Sequence, residues 1–257
     1  MKFGVYAAAI ATLSVAASSA VAQEERHTLD PVVMAAADAL GMVRGADRSV
    51  DLLNTVQFRA TGTATITDAN GAAQSVKVAK AVVGHSYVIP AGRFDYQTVD
   101  ASGKPGPRVI RVVAGDKAWD ETAPGVGKSW SKEVGQRVID VWMSPQGALR
   151  AATMAKPGEV KVSKVAGKDV IVTPAGAHTL TITLGADHRP ETVATTIDGV
   201  QAVATYTGYR DWDGYDVAFP TRTLKTLDGK TVLDLTTTEF IANSYVVFPV
   251  PVELAAR

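Results

Sequence analysis

The chain of 257 residues contains no cysteine. Structural disulfides, thiolate metal sites and the lipidated cysteine of a bacterial lipoprotein are therefore all excluded. Stability must come from core burial, and a chain of this length can bury roughly 70% or more of its surface. Histidine is almost as scarce: His27, His85, His178 and His188 are the only four. None is spaced as in H-E-x-x-H or a clustered zinc motif, so no metal site is expected. GHSY at residues 84–87 lacks the second glycine of G-x-S-x-G, and its context is a strand rather than a strand–turn–helix. No glycine-rich loop cradles phosphate, and no cofactor is expected. Excess charge of either sign is also missing, with 26 Lys and Arg against 26 Asp and Glu. The basic residues are scattered singly, which argues against nucleic acid as a partner.

What is present begins with MKFGVYAAAIATLSVAASSAVAQ. Lys2 precedes an apolar stretch from Phe3 to Ala17, followed by the small residues Ala20-Val21-Ala22. This is the layout of a secretory signal peptide cut before Gln23. Residues 1–22 are expected to be removed, and residues 23–257 to form a single periplasmic or secreted domain. No later apolar run approaches the ~20 residues that a membrane-spanning helix requires. With Lys2 removed, the acidic residues outnumber the basic ones by one.

Asp30-Pro31 marks a helix start, with Asp as cap and Pro in the first turn, where its missing N–H costs nothing. Val33, Ala36, Ala37 and Leu40 follow at helical spacing, and the helix is expected to close near Arg44-Gly45. From residue 55 the period becomes two. TVQFRATGTATIT and QSVKVAKAVV flank the turn DANG. HSYVIP, RFDYQTVD and RVIRVVA continue the pattern, with AGDKAWDE and KSWSKE as shorter strands. VGQRVIDVWM then reads as a helix, and Ser144-Pro145 restarts a second one, PQGALRAATMA, that ends at Lys156-Pro157-Gly158. Thr- and Val-rich strands with short turns fill the remainder, and neighbours in sequence are expected to pair antiparallel. The count is roughly eleven strands and two helical elements in an α+β fold, with no internal repeat or long linker.

YRDWDGYDVAFP, residues 209–220, is the segment that most resembles a chemical site. Asp211-Trp212-Asp213-Gly214 matches half of a calcium loop, but Tyr215 stands where the next oxygen ligand belongs, and no glutamate closes the loop. Asp-Gly is a strong turn pair, so a hairpin is the expectation. Pro220, which cannot donate to a ladder, must then lie at an edge, a bulge or an outward-facing position. Asp95, Asp100, Asp234 and Glu239 lie in or near strands, where two carboxylates could meet as acid and base. For Asp234, alternation between Leu233 and Leu235 implies an outward side chain. No catalytic motif is present.

The order of LNTVQFRATGT, VVAGDKAWDE, VIDVWMSPQGALRAA, YRDWDGYDVAFPTRT and GKTVLDLTTTEFIAN resembles the periplasmic lipoprotein-carrier superfamily (LolA/LolB-like). It is most similar to the exported modules that precede metallo-β-lactamase-fold hydrolase domains. The chain lacks the H-x-H-x-D-H motif of such hydrolases, so that activity does not carry over. The resemblance implies a curved antiparallel half-barrel cupping an N-terminal helix and a kinked central helical element around an apolar cavity. A carrier or binding module for a hydrophobic small molecule, a lipid or an envelope partner is the function it implies. Trp119, Trp130, Trp142, Met143 and Tyr206 are then the candidate ligand-binding residues, since Trp and Tyr pair a large apolar face with a polar tip. The alternative is a hydrolase-associated or lyase-type enzyme built from dispersed residues, such as His85 with Asp95 or Asp211 with Asp213.

Overall fold

The computed structural model describes residues 29–43, 50, 53–67, 72–100, 102–126, 128–212, 214 and 216–252. The signal-like segment, His27, Arg44-Gly45, the DANG turn, Asp213 and Tyr215 lie outside the described residues.

Helix α1 spans Pro31–Ala39, and the Asp30 side chain accepts the Val32 N–H at 2.8 Å. It closes earlier than expected, at Gly41, whose φ of 72° is left-handed. A Cβ at Gly41 would lie 1.9 Å from the Asp216 carbonyl oxygen, so glycine alone permits this approach. Five strands follow at Thr55–Thr67 (β1), Ala73–Ser86 (β2), Ala91–Val99 (β3), Pro105–Ala114 (β4) and Lys117–Glu121 (β5), then the two-residue Ser129–Trp130 (β6). Helices Val134–Trp142 (α2) and Pro145–Met154 (α3) come next. The remaining strands are Lys161–Val165 (β7), Lys168–Ala175 (β8), His178–Leu184 (β9), Pro190–Ile197 (β10), Val200–Asp211 (β11), Ala218–Leu227 (β12) and Lys230–Ala242 (β13).

Among the described residues thirteen strands are found where roughly eleven were expected. HSYVIP is not a separate strand: His85 and Ser86 end β2, and Tyr87–Pro90 form the turn into β3. All thirteen form one antiparallel sheet in the order β6-β5-β4-β3-β2-β1-β13-β12-β11-β10-β9-β8-β7. The chain starts in the middle at β1, meanders to one edge and crosses over to the other. It then meanders back until β13 pairs with β1, with Phe58 opposite Phe240. The crossing segment is α2–α3, so the connectivity itself lays the two helices across one face.

Bulges bend the sheet around them. Strand β1 shifts register between Arg59 and Ala60 against β13, and between Ala60 and Gly62 against β2. Such insertions kink a strand and increase its twist. Gly62 is required there, since a Cβ would meet the Asp234 carbonyl oxygen at 2.0 Å. The result is a curved, open half-barrel, as the resemblance implied, within the α+β class that the strand and helix pattern gave.

Helix α2 packs on β3, β4 and β5, while α3 packs on β8, β10 and α1. Arg137, 1% exposed, fastens α2 to the sheet. Its guanidinium donates to the carbonyls of Val112 (3.2 Å) and Trp119 (2.8 Å), to Asp120 (2.7 Å) and to Glu133 (2.7 and 3.1 Å). The kink between the helices is held from both sides. Ser144 Oγ accepts the Gly147 N–H at 3.2 Å and lies 2.9 Å from the Tyr87 hydroxyl, while Tyr206 donates its hydroxyl to the Met143 carbonyl. On the opposite, convex face a smaller cluster of Ile110, Val112 and Trp119 lies under Phe248 and Val250 of the C-terminal segment. Among the described residues no helix is long and apolar enough to cross a membrane.

Candidate ligand cavity

The two helices pack mainly on opposite arms of the sheet, and the strands between those arms meet them at the kink and through the Lys225–Asp140 and Gln146–Ala218 contacts. A cavity of about 300 Å³ remains there. Strands β1, β2, β3, β11, β12 and β13 line it with Phe58, Val83, Phe94, Ala204, Phe219, Leu233 and Leu235, and the kink adds Met143 and Pro145. The lining residues nearest the Phe58 end, including His85 and Phe219, are buried, whereas Thr65, Leu227, Val232, Gln136 and Asp140 are only half-buried. The cavity therefore opens toward the end of β1 and the β12–β13 turn. Phe58 and Thr65 are seven positions apart on β1, or roughly 20 Å at strand rise.

Its polar groups divide into two kinds. Lys225, on β12, pairs with Asp140 of α2, and Gln136 Nε2 donates to the same carboxylate at 3.1 Å. Arg111, on β4, lies opposite Phe94 and so projects to the concave side, beside Tyr96. No carboxylate pairs with Arg111 among the described residues, and its Nε has no hydrogen-bond partner. His85 is 4% exposed, with the rings of Phe58, Tyr87 and Phe94 around it and neither ring nitrogen bonded. Burial pulls its pKa down to about 4, against a weaker upward pull from Asp140, so the imidazole is neutral near pH 7. Burial raises the Tyr206 hydroxyl above its ordinary range, which keeps it a neutral donor.

The five residues expected to bind ligand are dispersed by the fold. Met143 and Tyr206 line the cavity. Trp142 is buried beside it, stacked on Tyr87 at 6.3 Å between centroids. Trp119 belongs to the convex cluster, where its Nε1 donates to Glu121 at 3.1 Å. Trp130 lies opposite Trp119 on edge strand β6 and is 37% exposed. Arg111, His85, Phe58 and Phe219 were not singled out as cavity residues. Alternation in RVIRVVA sorts Arg108 from Arg111 onto two faces, yet no local signal says which face is concave.

The dispersed-residue alternatives fare differently. His85 pairs with Gly92 across β2–β3, and Phe94 shares that face, so Asp95 points to the other side of the sheet. There Arg108 holds Asp95 through two bonds of 2.8 Å. Asp234 is held likewise by Arg222, at 2.9 and 2.7 Å. In YRDWDGYDVAFP the Asp211 carboxylate accepts the N–H groups of Gly214 (3.0 Å) and Asp216 (3.1 Å), and the chain turns from β11 into β12 as expected of a hairpin. Trp212 donates to the Phe219 carbonyl at 2.9 Å, and Arg210 stacks on its ring. Pro220 pairs with Tyr209 of β11 but precedes the β12–β13 ladder, which begins at Arg222, so its missing N–H costs no bond on that side. No group of metal-binding side chains occurs among the described residues.

No protein-family description matches the sequence, and no curated protein matches it. Among solved structures, a LolA superfamily protein from Nitrosomonas europaea is similar. The two chains share 11% identity at a TM-score of 0.44, over 83% of this chain and 94% of that one.

Proposed function

We propose that this protein is an exported binding or carrier module whose cargo is a hydrophobic small molecule or a lipid. The observation that carries this reading is the half-open cavity between the central strands and the α2–α3 kink, walled mainly by aromatic and aliphatic side chains. Concave, largely apolar sites with few polar groups are the usual form of small-molecule pockets. At about 300 Å³ it stands at the lower end of their range, roughly 300–1,000 Å³. Spread over roughly 20 Å, that space favours one chain or one small ring system over several acyl chains side by side. Export is supported by the leader-like composition of residues 1–22, and action as one unit by the single continuous sheet. An envelope protein is the further partner that the resemblance implies.

The test is native mass spectrometry and lipid extraction of protein purified from its own host, alongside displacement of a fluorescent fatty-acid analogue. Ala204 faces the cavity and is buried, so Ala204→Trp fills it. Co-purified amphiphile in the wild type and at least tenfold weaker probe binding by a folded Ala204→Trp variant are expected. Equal binding by both proteins rules the cavity out as the site.

A further inference from the structure

Among the described residues five buried side-chain polar atoms lack a hydrogen-bond partner, and three of them, Arg111 Nε and both ring nitrogens of His85, belong to the cavity wall. Buried polar groups without partners are rare, because each forfeits the hydrogen bonds it had in water. Three on one wall of one cavity mark a place where a ligand atom completes the hydrogen bonding. The two residues also flank one side chain. Phe94 lies directly opposite Arg111 on β4, and its ring centroid is 5.5 Å from that of His85.

The charge balance gives the sign of the missing group. The cavity holds two cations, Arg111 and Lys225, and one carboxylate, Asp140, which Lys225 already occupies. One positive charge is left over, on a guanidinium suited to the planar, two-pronged geometry of a carboxylate or phosphate. His85 and Tyr96 supply neutral hydrogen-bonding groups beside it. The opposite wall is mainly apolar, with Ala204, Leu227, Leu233 and Leu235, and of its polar groups Tyr206 already donates to the Met143 carbonyl and Lys225 already pairs with Asp140, which leaves the Thr223 hydroxyl.

Building on the reading of the cavity as a hydrophobic-ligand site, we propose that its ligand is a single-chain amphiphile with an acidic head. The head, a carboxylate or phosphate monoester, seats on Arg111 with His85 as a second donor. The hydrocarbon lies along β11–β13. A charge-assisted hydrogen bond contributes enough to shift affinity about tenfold or more.

Isothermal titration of the delipidated protein with dodecanoic acid, dodecyl phosphate and dodecanol at pH 7.5, each below its aggregation threshold, tests this. Dodecanoate or dodecyl phosphate is expected to bind at least about tenfold more tightly than dodecanol, and which of the two binds better separates a carboxylate from a phosphate head. Arg111→Met removes that preference while dodecanol affinity stays within about twofold, and Arg111→Lys retains part of it. His85→Phe weakens the acid selectively. Equal affinity for acid and alcohol, or an acid preference unchanged in Arg111→Met, overturns the head-group assignment and leaves the cavity reading standing. Failure of all three compounds to bind removes the cavity reading together with this one.

Discussion

Arg137 and Arg111 both bring a guanidinium to the region where α2 crosses β4, and the fold treats them in opposite ways. Arg137 is 1% exposed and has five hydrogen bonds, with two carboxylates and two carbonyls as acceptors. Arg111 faces the cavity, its Nε unbonded and, among the described residues, no carboxylate in ion-pair contact with it. The convex face repeats the first pattern. Glu121 is 8% exposed, and burial alone would raise its pKa, yet bonds from Arg93, Gly125 and Trp119 hold it below the usual carboxylate range. A buried charge that serves the fold has its bonds filled from within the chain, because removing a charge from water is costly unless protein groups replace the lost contacts. A buried polar group left open points outward from stability toward binding.

Substitutions can break this contrast. Arg137→Ala is expected to destabilise the protein by about 3 kcal/mol, since it strands two carbonyls and detaches α2 from β4 and β5. Urea unfolding measures this, and a loss under 1 kcal/mol would mean the network does not anchor the helix. Next in size is an acid-labile contribution from His85. Its folded pKa of about 4 is below the unfolded 6.5, so the unfolded chain takes up the proton first. The stability is fully present above pH 6.5 and declines as pH falls toward the folded value. Between pH 6.5 and pH 5 that decline is about 1.5 kcal/mol, and it should vanish in His85→Phe; an unchanged profile in the variant would assign the decline to other groups.

Smaller effects sharpen the same comparison. Tyr206→Phe deletes the hydroxyl bonded to the Met143 carbonyl, for an expected loss of about 1 kcal/mol in unfolding free energy. Arg111→Met should move stability by no more than about 1 kcal/mol, because it gives up only the hydrogen bond with Tyr96 and keeps the apolar stem. Arg59→Ala supplies the exposed reference. Its pair with Glu239 leaves the two side chains 48% and 42% exposed, and a change within about 0.5 kcal/mol is expected. If Arg111→Met cost as much as Arg137→Ala, the division between structural and binding arginines would fail.

Much of the framework was readable from residue order. Asp30-Pro31 and Ser144-Pro145 start helices where capping chemistry places them. The paired turns from Val165 onward define β7 to β13 with their neighbours. HSYVIP misled because alternation runs through Tyr87 and Val88 although the chain is already reversing toward Pro90. The cavity was harder to read. Two of the four tryptophans are placed by the surface they cover: Trp119 under Phe248 and Val250 of a segment distant in sequence, and Trp142 against Tyr87. Arg137, the strongest single anchor of α2, carries only the local mark of Glu133 four residues earlier, since its other acceptors come from β4 and β5.

The sequence alone determined the strand meander, the helix starts, the hairpin at residues 209–220 and the absence of thiol chemistry, because capping, turn propensity and period-two alternation act between near neighbours. Only the tertiary structure decided which face of each strand became concave, and therefore that Arg111 and His85 line a cavity while Asp95 and Trp119 do not. The direction of sheet curvature and the crossing of α2–α3 are set by contacts between distant segments, and no local window contains them.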